Sequence, residues 1–197
     1  MPTATPTYDR TQVLVGQARR FIAPYVPATP PALPLNTVAL NGTWGTPWVE
    51  IGATMAGLEF AFKRTTKKIM IEEQQTPVQI TTTDTQFSFN LELAQDSLKT
   101  MQLAYGGGLI TTVAASTGIP GTQQLQIGAD LSQYSFGFEG QNEFGFWRRV
   151  LVPVVVSVAD VKTEYVRASK QRTYKVSFES LVDVSQVTIL EQNAAAL

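Results

Sequence analysis

GLEFAFK (57–63) and TQFSFNLEL (85–93) alternate apolar and polar residues with a period of two. Leu58, Phe60 and Phe62 fall on one side of the first stretch. Phe87, Phe89, Leu91 and Leu93 fall on one side of the second, opposite Ser88, Asn90 and Glu92. Successive side chains of a strand point to opposite faces, so this spacing predicts two strands with one face buried and one exposed. Further along, Tyr134, Phe136 and Phe138 alternate with Ser135 and Gly137. Tyr174, Val176, Phe178, Val182 and Val184 alternate with Lys175, Ser177, Glu179 and Asp183. The expectation is an all-β chain built on amphipathic strands.

One segment breaks the period. In AQDSLKTMQLAYGGG (94–108), Leu98, Met101 and Tyr105 fit one helical face, Asp96 is placed to cap the start and Gly106 to close the end. One short helix packed on the sheets is expected. Because the Gly106–Gly108 run follows that helix, it reads as a helix stop and not as a phosphate-cradling loop, which opens a helix. VLVPVVVSV (150–158) is apolar on both faces, and Pro153 within it points to an edge position or a bulge, in core or at a subunit contact.

Seven of the 11 prolines fall within the first 34 residues. Residues 1–10 read as a loose arm, and TQVLVGQARRFI (11–22) as a strand with Val13 and Val15 on one side. Residues 23–47 read as an extended connector whose apolar side chains lie on the domain surface. From Trp48 the period-two pattern takes over. Residues 1–47 are therefore expected to form the arm, first strand and connector, and residues 48–197 the main β unit, within a single domain.

Composition removes most catalytic classes. The 197 residues include no Cys and no His, so disulfides, thiolate nucleophiles, imidazole relays and the usual zinc sites are excluded. With 15 basic and 16 acidic residues, the net charge of −1 supplies no basic field for specific nucleic-acid binding. Glu50, Glu59, Glu92, Glu139 and Glu143 lie near aromatic residues, as carboxylate pairs do in glycoside hydrolases, but their spacing marks no pair and exposed strand faces normally carry solvated carboxylates. No enzymatic activity, cofactor or metal is expected. No stretch reaches the roughly 20 apolar residues of a membrane span, and MPTATPTYDRTQ (1–12) lacks a signal-peptide core, so folding in a cytoplasm is expected.

KRTTKKIMIEE (63–73) gathers Lys63, Arg64, Lys67 and Lys68, then switches sign at Glu72 and Glu73. It reads as a solvated hairpin or as a projecting arm, 63–77, that pairs electrostatically with another subunit, since opposite charges fix register and suppress wrong docking. Trp147 and Arg148, followed by Arg149, form the aromatic-plus-Arg mix of interface hot spots or of a core edge.

The order of segments resembles the major tail tube proteins of siphophages, the long-tailed bacteriophages. VLVGQARRFIAP (13–24) ends in Ala23 and Pro24. After a Pro-rich connector come WVEIGATMAGLEFAF (48–62), KIMIEEQQTPVQ (68–79) and the alternating Phe87–Leu93 strand leading into a helix. RTYKVSFESLVDV (172–184) fits the last strand, residues 109–171 match nothing in the pattern, and Gln74 and Gln75 stand where relatives often carry an acidic residue. The resemblance implies a β-sandwich or partly open barrel with a flanking helix and a long β-hairpin. It also implies six copies per ring, stacked into a tube that surrounds a tape-measure protein and later passes the genome, with terminator and tail-tip proteins as further partners. The implied location is the virion, after assembly in the host cytoplasm. The runner-up reading is a carbohydrate- or receptor-binding β-sandwich of a virion, drawn from Trp44, Trp48 and Trp147.

Overall fold

A computed structural model describes residues 18–72, 74–141, 145–161, 173–181 and 186–192. The expectations for residues 1–10, Val13, Val15, Glu73, Glu143, Val182, Asp183 and Val184 lie outside the described residues. The elements open with β1 (Ala18–Pro24), β2 (Val49–Glu50), β3 (Thr54–Ile71) and β4 (Gln74–Leu93). The helix α1 (Leu98–Ala104) and a separate hairpin, β5 (Leu109–Val113) and β6 (Thr122–Gln126), follow. β7 (Gln133–Gln141), β8 (Trp147–Ser157), β9 (Tyr174–Ser180) and β10 (Thr188–Glu191) complete the chain. The fold is all-β with one short helix, as the period-two runs require.

Antiparallel pairing orders the main sheet β2-β1-β7-β8-β9-β4-β3, with β10 also on β8. In a flat sheet β4 and β7, separated by two strands, would lie about 14 Å apart at roughly 4.8 Å per step. Instead the rings of Phe89 on β4 and Phe136 on β7 are 5.1 Å apart, and Phe60 on β3 meets Phe138 on β7 at 6.1 Å. The sheet curls so that its two halves face each other across one core. It does not close into a barrel. At the open side Arg20 of β1 donates to the Thr54 hydroxyl of β3.

The first core holds Ile22, Phe89, Leu91, Leu93, Tyr134, Phe136, Phe138, Val150, Val152, Val155, Tyr174, Val176 and Phe178, with Leu103 and Ala104 of α1. It contains the apolar positions that the alternation marks in β4, β7 and β9. The α1 cap differs from expectation: Ser97, not Asp96, is the N-cap and accepts from the Thr100 N–H, while Asp96 accepts from the Tyr174 hydroxyl. Gly106 ends the helix with φ +79°.

β7 departs from one-faced burial, since residues 134–140 are all buried. Phe21, Ala23 and Leu151 face away from the first core into a second one. There Trp44, with Leu33 and Val38 packed against the cluster, comes from the connector, and Trp48 follows directly after it. The expectation that the connector's apolar residues lie on the surface holds for Val26 and Leu35 and is corrected for Leu33, Val38 and Trp44, which cover the outer face of β1, β7 and β8. Trp44 stacks on Phe21 at 4.1 Å and sits over Gly137, where an added Cβ would come within 2.6 Å of its ring. Trp48 Nε1 donates to the Ala32 carbonyl at 2.9 Å.

Two further expectations are revised. Pro153 is not on an edge, since β8 pairs with β7 on one side and with β9 and β10 on the other. It sits in a bulge, where Pro153 and Val154 oppose Ser135 and the missing proline N–H costs no ladder bond. Ser135 Oγ donates to the Pro153 carbonyl at 2.5 Å. VLVPVVVSV is accordingly core through Ser157.

Glu139, expected on a solvated face, is fully buried beside Arg149, which is also fully buried. Arg149 Nε donates to Glu139 Oε1 at 2.6 Å. Its remaining donors reach the connector carbonyls of Pro34, Leu35, Val38 and Ala39. Removing one partner of such a pair leaves an uncompensated buried charge, at a cost of about 3–5 kcal/mol. Arg149→Met is therefore expected to lower unfolding free energy by about that amount in urea titration. Glu139→Leu added to it should recover only part, because the connector carbonyls remain without donors.

Candidate functional site

Most of the residues singled out by charge lie on one element. β3 and β4 form a hairpin of 18 and 20 residues, whereas β9 pairs with β4 only from Ser88 to Leu93. Beyond that point, from the Lys63–Gln86 pair to the Ile71–Gln74 pair, the two strands pair only with each other among the described residues. At about 3.3 Å per residue this ribbon runs about 30 Å. Lys63, Arg64, Lys67, Lys68 and Glu72 are exposed on it. Only Glu73 of this charged set lies outside the described residues.

The arm leaves the body through an aromatic base. Phe60 stacks on Phe89 at 5.0 Å and on Phe87 at 5.2 Å. Phe62 meets Phe87 at 4.8 Å, with the Arg64 guanidinium 5.2 Å from the Phe62 ring. Farther out, apolar side chains lie in solvent: Ile69 is 41% exposed, Met70 53%, Val78 45% and Ile80 61%. The charge pattern does not reveal this row, although the apolar letters at 69, 70, 78 and 80 in the sequence are its signal. A two-stranded ribbon without a third strand or a covered face is marginal in water. Its apolar row and its length are features that a neighbouring surface would stabilise.

The arm's two edges differ. In its outer half the register shifts place the extra residues on β4, at Thr83 and again before Gln79, and Pro77 removes a donor there. β3 runs without interruption from Glu59 to Ile69. Its edge is intact but carries four cations in six residues, a device that discourages indiscriminate strand addition.

Trp147 and Arg148 are not part of the arm. They lie on β8, separated from β3 by β9 and β4 in the sheet order. Trp147 is half-buried, its backbone pairs with Gln192, and Arg148 donates to Glu191 at 2.6 Å. This exposed ion pair contributes about 0–1 kcal/mol.

Of the carboxylates considered for hydrolysis, the structure brings Glu59 and Glu92 to one cleft and leaves Glu50 and Glu139 elsewhere. Glu59 and Glu92 line a cleft of about 440 Å³ with Asn90, Asp160 and Lys175. Glu59 accepts from Asn90 and Glu92 from Thr173. Glu50 pairs with Arg19 on the opposite end of the sheet. Burial lowers the pKa of Arg20, an effect opposed by the nearby Glu50 charge. Among the described residues no group of acidic side chains could hold a metal ion, and no helix is long and apolar enough to cross a membrane.

No protein-family model matches the chain, and no curated protein matches it. Among solved structures it is similar to a chain of the anti-feeding prophage baseplate, determined by cryo-electron microscopy with six-fold symmetrisation. The identity is 11% and the TM-score 0.43, with 95% of this chain and 97% of that one covered. A likeness at that TM-score carries no argument here.

The exposed ribbon should open locally far more readily than the packed strands. Among the basic residues described, limited trypsin digestion of the dispersed protein is expected to cut first at Lys63, Arg64, Lys67 or Lys68. Equal cleavage at Arg148 or Lys175 would contradict a ribbon held only by its own two strands.

Proposed function

We propose that the chain is a structural subunit of a phage tail tube, polymerising as stacked rings into a hollow conduit, and that it has no catalytic role. The observation that carries this reading is the arm, a charged ribbon with an exposed apolar row and an intact outer edge. The segments behind the tail-tube resemblance fall on coherent places. Ala23 and Pro24 end β1, Trp48–Gly52 spans β2, Glu72 and Gln74–Val78 lie in the arm's tip region, and Phe87–Leu93 is the core-facing half of β4. The sheet's open ends suit the same reading, since joining copies edge to edge removes edges that a lone molecule leaves free.

Unlike top and bottom faces make contacts that do not close, so stacking continues until a partner stops it. In this reading the partners are copies of the chain, a tape-measure protein in the channel, and terminator and tail-tip proteins. DNA passes through without specific binding, and the location is the virion after assembly in the host cytoplasm. The carbohydrate-binding alternative needs exposed aromatic platforms, whereas Trp44 and Trp48 are 3% and 8% exposed and pack in the second core, and Trp147 is half-buried on β8. Nothing in the site favours it.

Negative-stain electron microscopy of the concentrated protein is expected to reveal rings or tubes of uniform diameter with a stain-filled centre. A variant in which residues 64–84 are replaced by a two-residue turn should keep the thermal transition of the body and lose the tubes. Tubes formed equally well without the arm would sink its assigned role. A full chain that stays dispersed even on tail-tip complexes would sink the conduit reading itself.

A further inference from the structure

The β5–β6 hairpin is a sheet of its own, and it packs on α1. Ile110 and Leu125 are cross-strand partners and half-buried. By alternation Leu109, Thr111 and Val113, with Gln126, Gln124 and Thr122 opposite them, form the other face. On that face Leu109 is 61% exposed and Val113 62%, and Ile119 in the connecting loop is 65% exposed. Residues 100–129 contain no Asp, Glu, Lys or Arg, so neither edge of the hairpin carries the charges that normally guard one.

The arm sets the complementary demand. Ile80 shares its face with its cross-strand partner Lys68, and Met70 and Val78 follow two residues farther out on their strands, within the irregular stretch between the Ile69–Gln79 and Ile71–Gln74 pairs. One face of a ribbon about 30 Å long and about 10 Å wide offers about 300 Å², and covering it buries about 600 Å² in total. Stable interfaces bury about 1,200–2,000 Å², so the arm must be covered on both faces, and the exposed apolar side chains of its outer half, which flank Lys68, call for an apolar cover that adds no second charge beside that ammonium. Among the described residues the β5–β6 hairpin is the regular element that offers an uncharged outward face with several exposed apolar side chains. Within one chain it packs on α1, and the arm's strands pack on each other.

We infer that the outward face of β5–β6 receives the outer half of the arm from a second copy of the chain, with Met70, Val78 and Ile80 set against Leu109, Val113 and Ile119. This inference rests on the reading that copies polymerise. It names one of the two surfaces that the arm requires. The contact joins two different patches, so it propagates from copy to copy and does not close as a symmetric pair.

The chain has no cysteine, so introduced thiols are the only ones present. The double variants M70C/V113C and I80C/L109C, assembled and then oxidised, are expected to give a ladder of disulfide-linked oligomers on non-reducing gels from at least one pair. Each single variant should stop at dimers. L109S/V113S, changed only at exposed positions, is expected to raise the protein concentration needed for assembly at least tenfold without moving the monomer's thermal transition. Rings or tubes without a ladder from either pair, or unchanged assembly of L109S/V113S, would overturn the docking surface and leave the conduit reading in place. Failure of the unmodified chain to assemble, alone or on tail tips, would overturn both.

Discussion

Arg149 fixes more of this architecture than any other side chain. Its guanidinium neutralises Glu139 inside the sheet and donates to four successive stops on the connector, at Pro34, Leu35, Val38 and Ala39. A Pro-rich segment has few backbone donors and no regular partner for its carbonyls, so it cannot organise itself by secondary structure. One planar cation with five donors does this from beneath. Once the connector is held, Trp44 reaches Gly137 and Phe21, and Trp48 closes the edge of the second core. The ion pair is an expensive way to stabilise two layers, but it specifies where an otherwise irregular chain must lie.

That second layer bears on assembly, because it covers the outer face of β1, β7 and β8 while the first core fills the inside of the curl. Exposed large apolar side chains lie on the two hairpins, and others are scattered over the connector, the loops and β10. In the proposed polymer, contacts made through a few projecting elements would decide the register more sharply than a uniformly sticky surface.

Much of the body can be read from alternation alone. Phe89, Leu91 and Leu93, Phe136 and Phe138, and Val176 and Phe178 lie in the first core because a strand period leaves them no other shared face. The second core is harder to see. Trp44 and Trp48 stand in a stretch without period, and Gly137 looks like the polar side of its strand until an indole is placed over it. Glu139 and Arg149 are ten residues apart with no spacing rule to join them, since cross-strand partnership depends on where the chain turns. Ser97 and Asp96 compete for one cap, and the choice falls to the tertiary bond between Asp96 and Tyr174. The arm was legible as a charge cluster, but its apolar row was not, because exposure depends on β9 ending at Ser180.

The unequal edges of the arm give it a sense of direction. Bulges and Pro77 spoil the β4 side, while β3 stays straight from Glu59 to Ile69. In the proposed polymer, the unbroken β3 flank and the bulged β4 flank would meet different neighbours, so successive molecules would follow one another in the same rotational sense. Such a part has chirality at the scale of the assembly. A polymer built with it would have a fixed front and back, and material moving through its bore would meet the same ordered sequence of surfaces in every repeat.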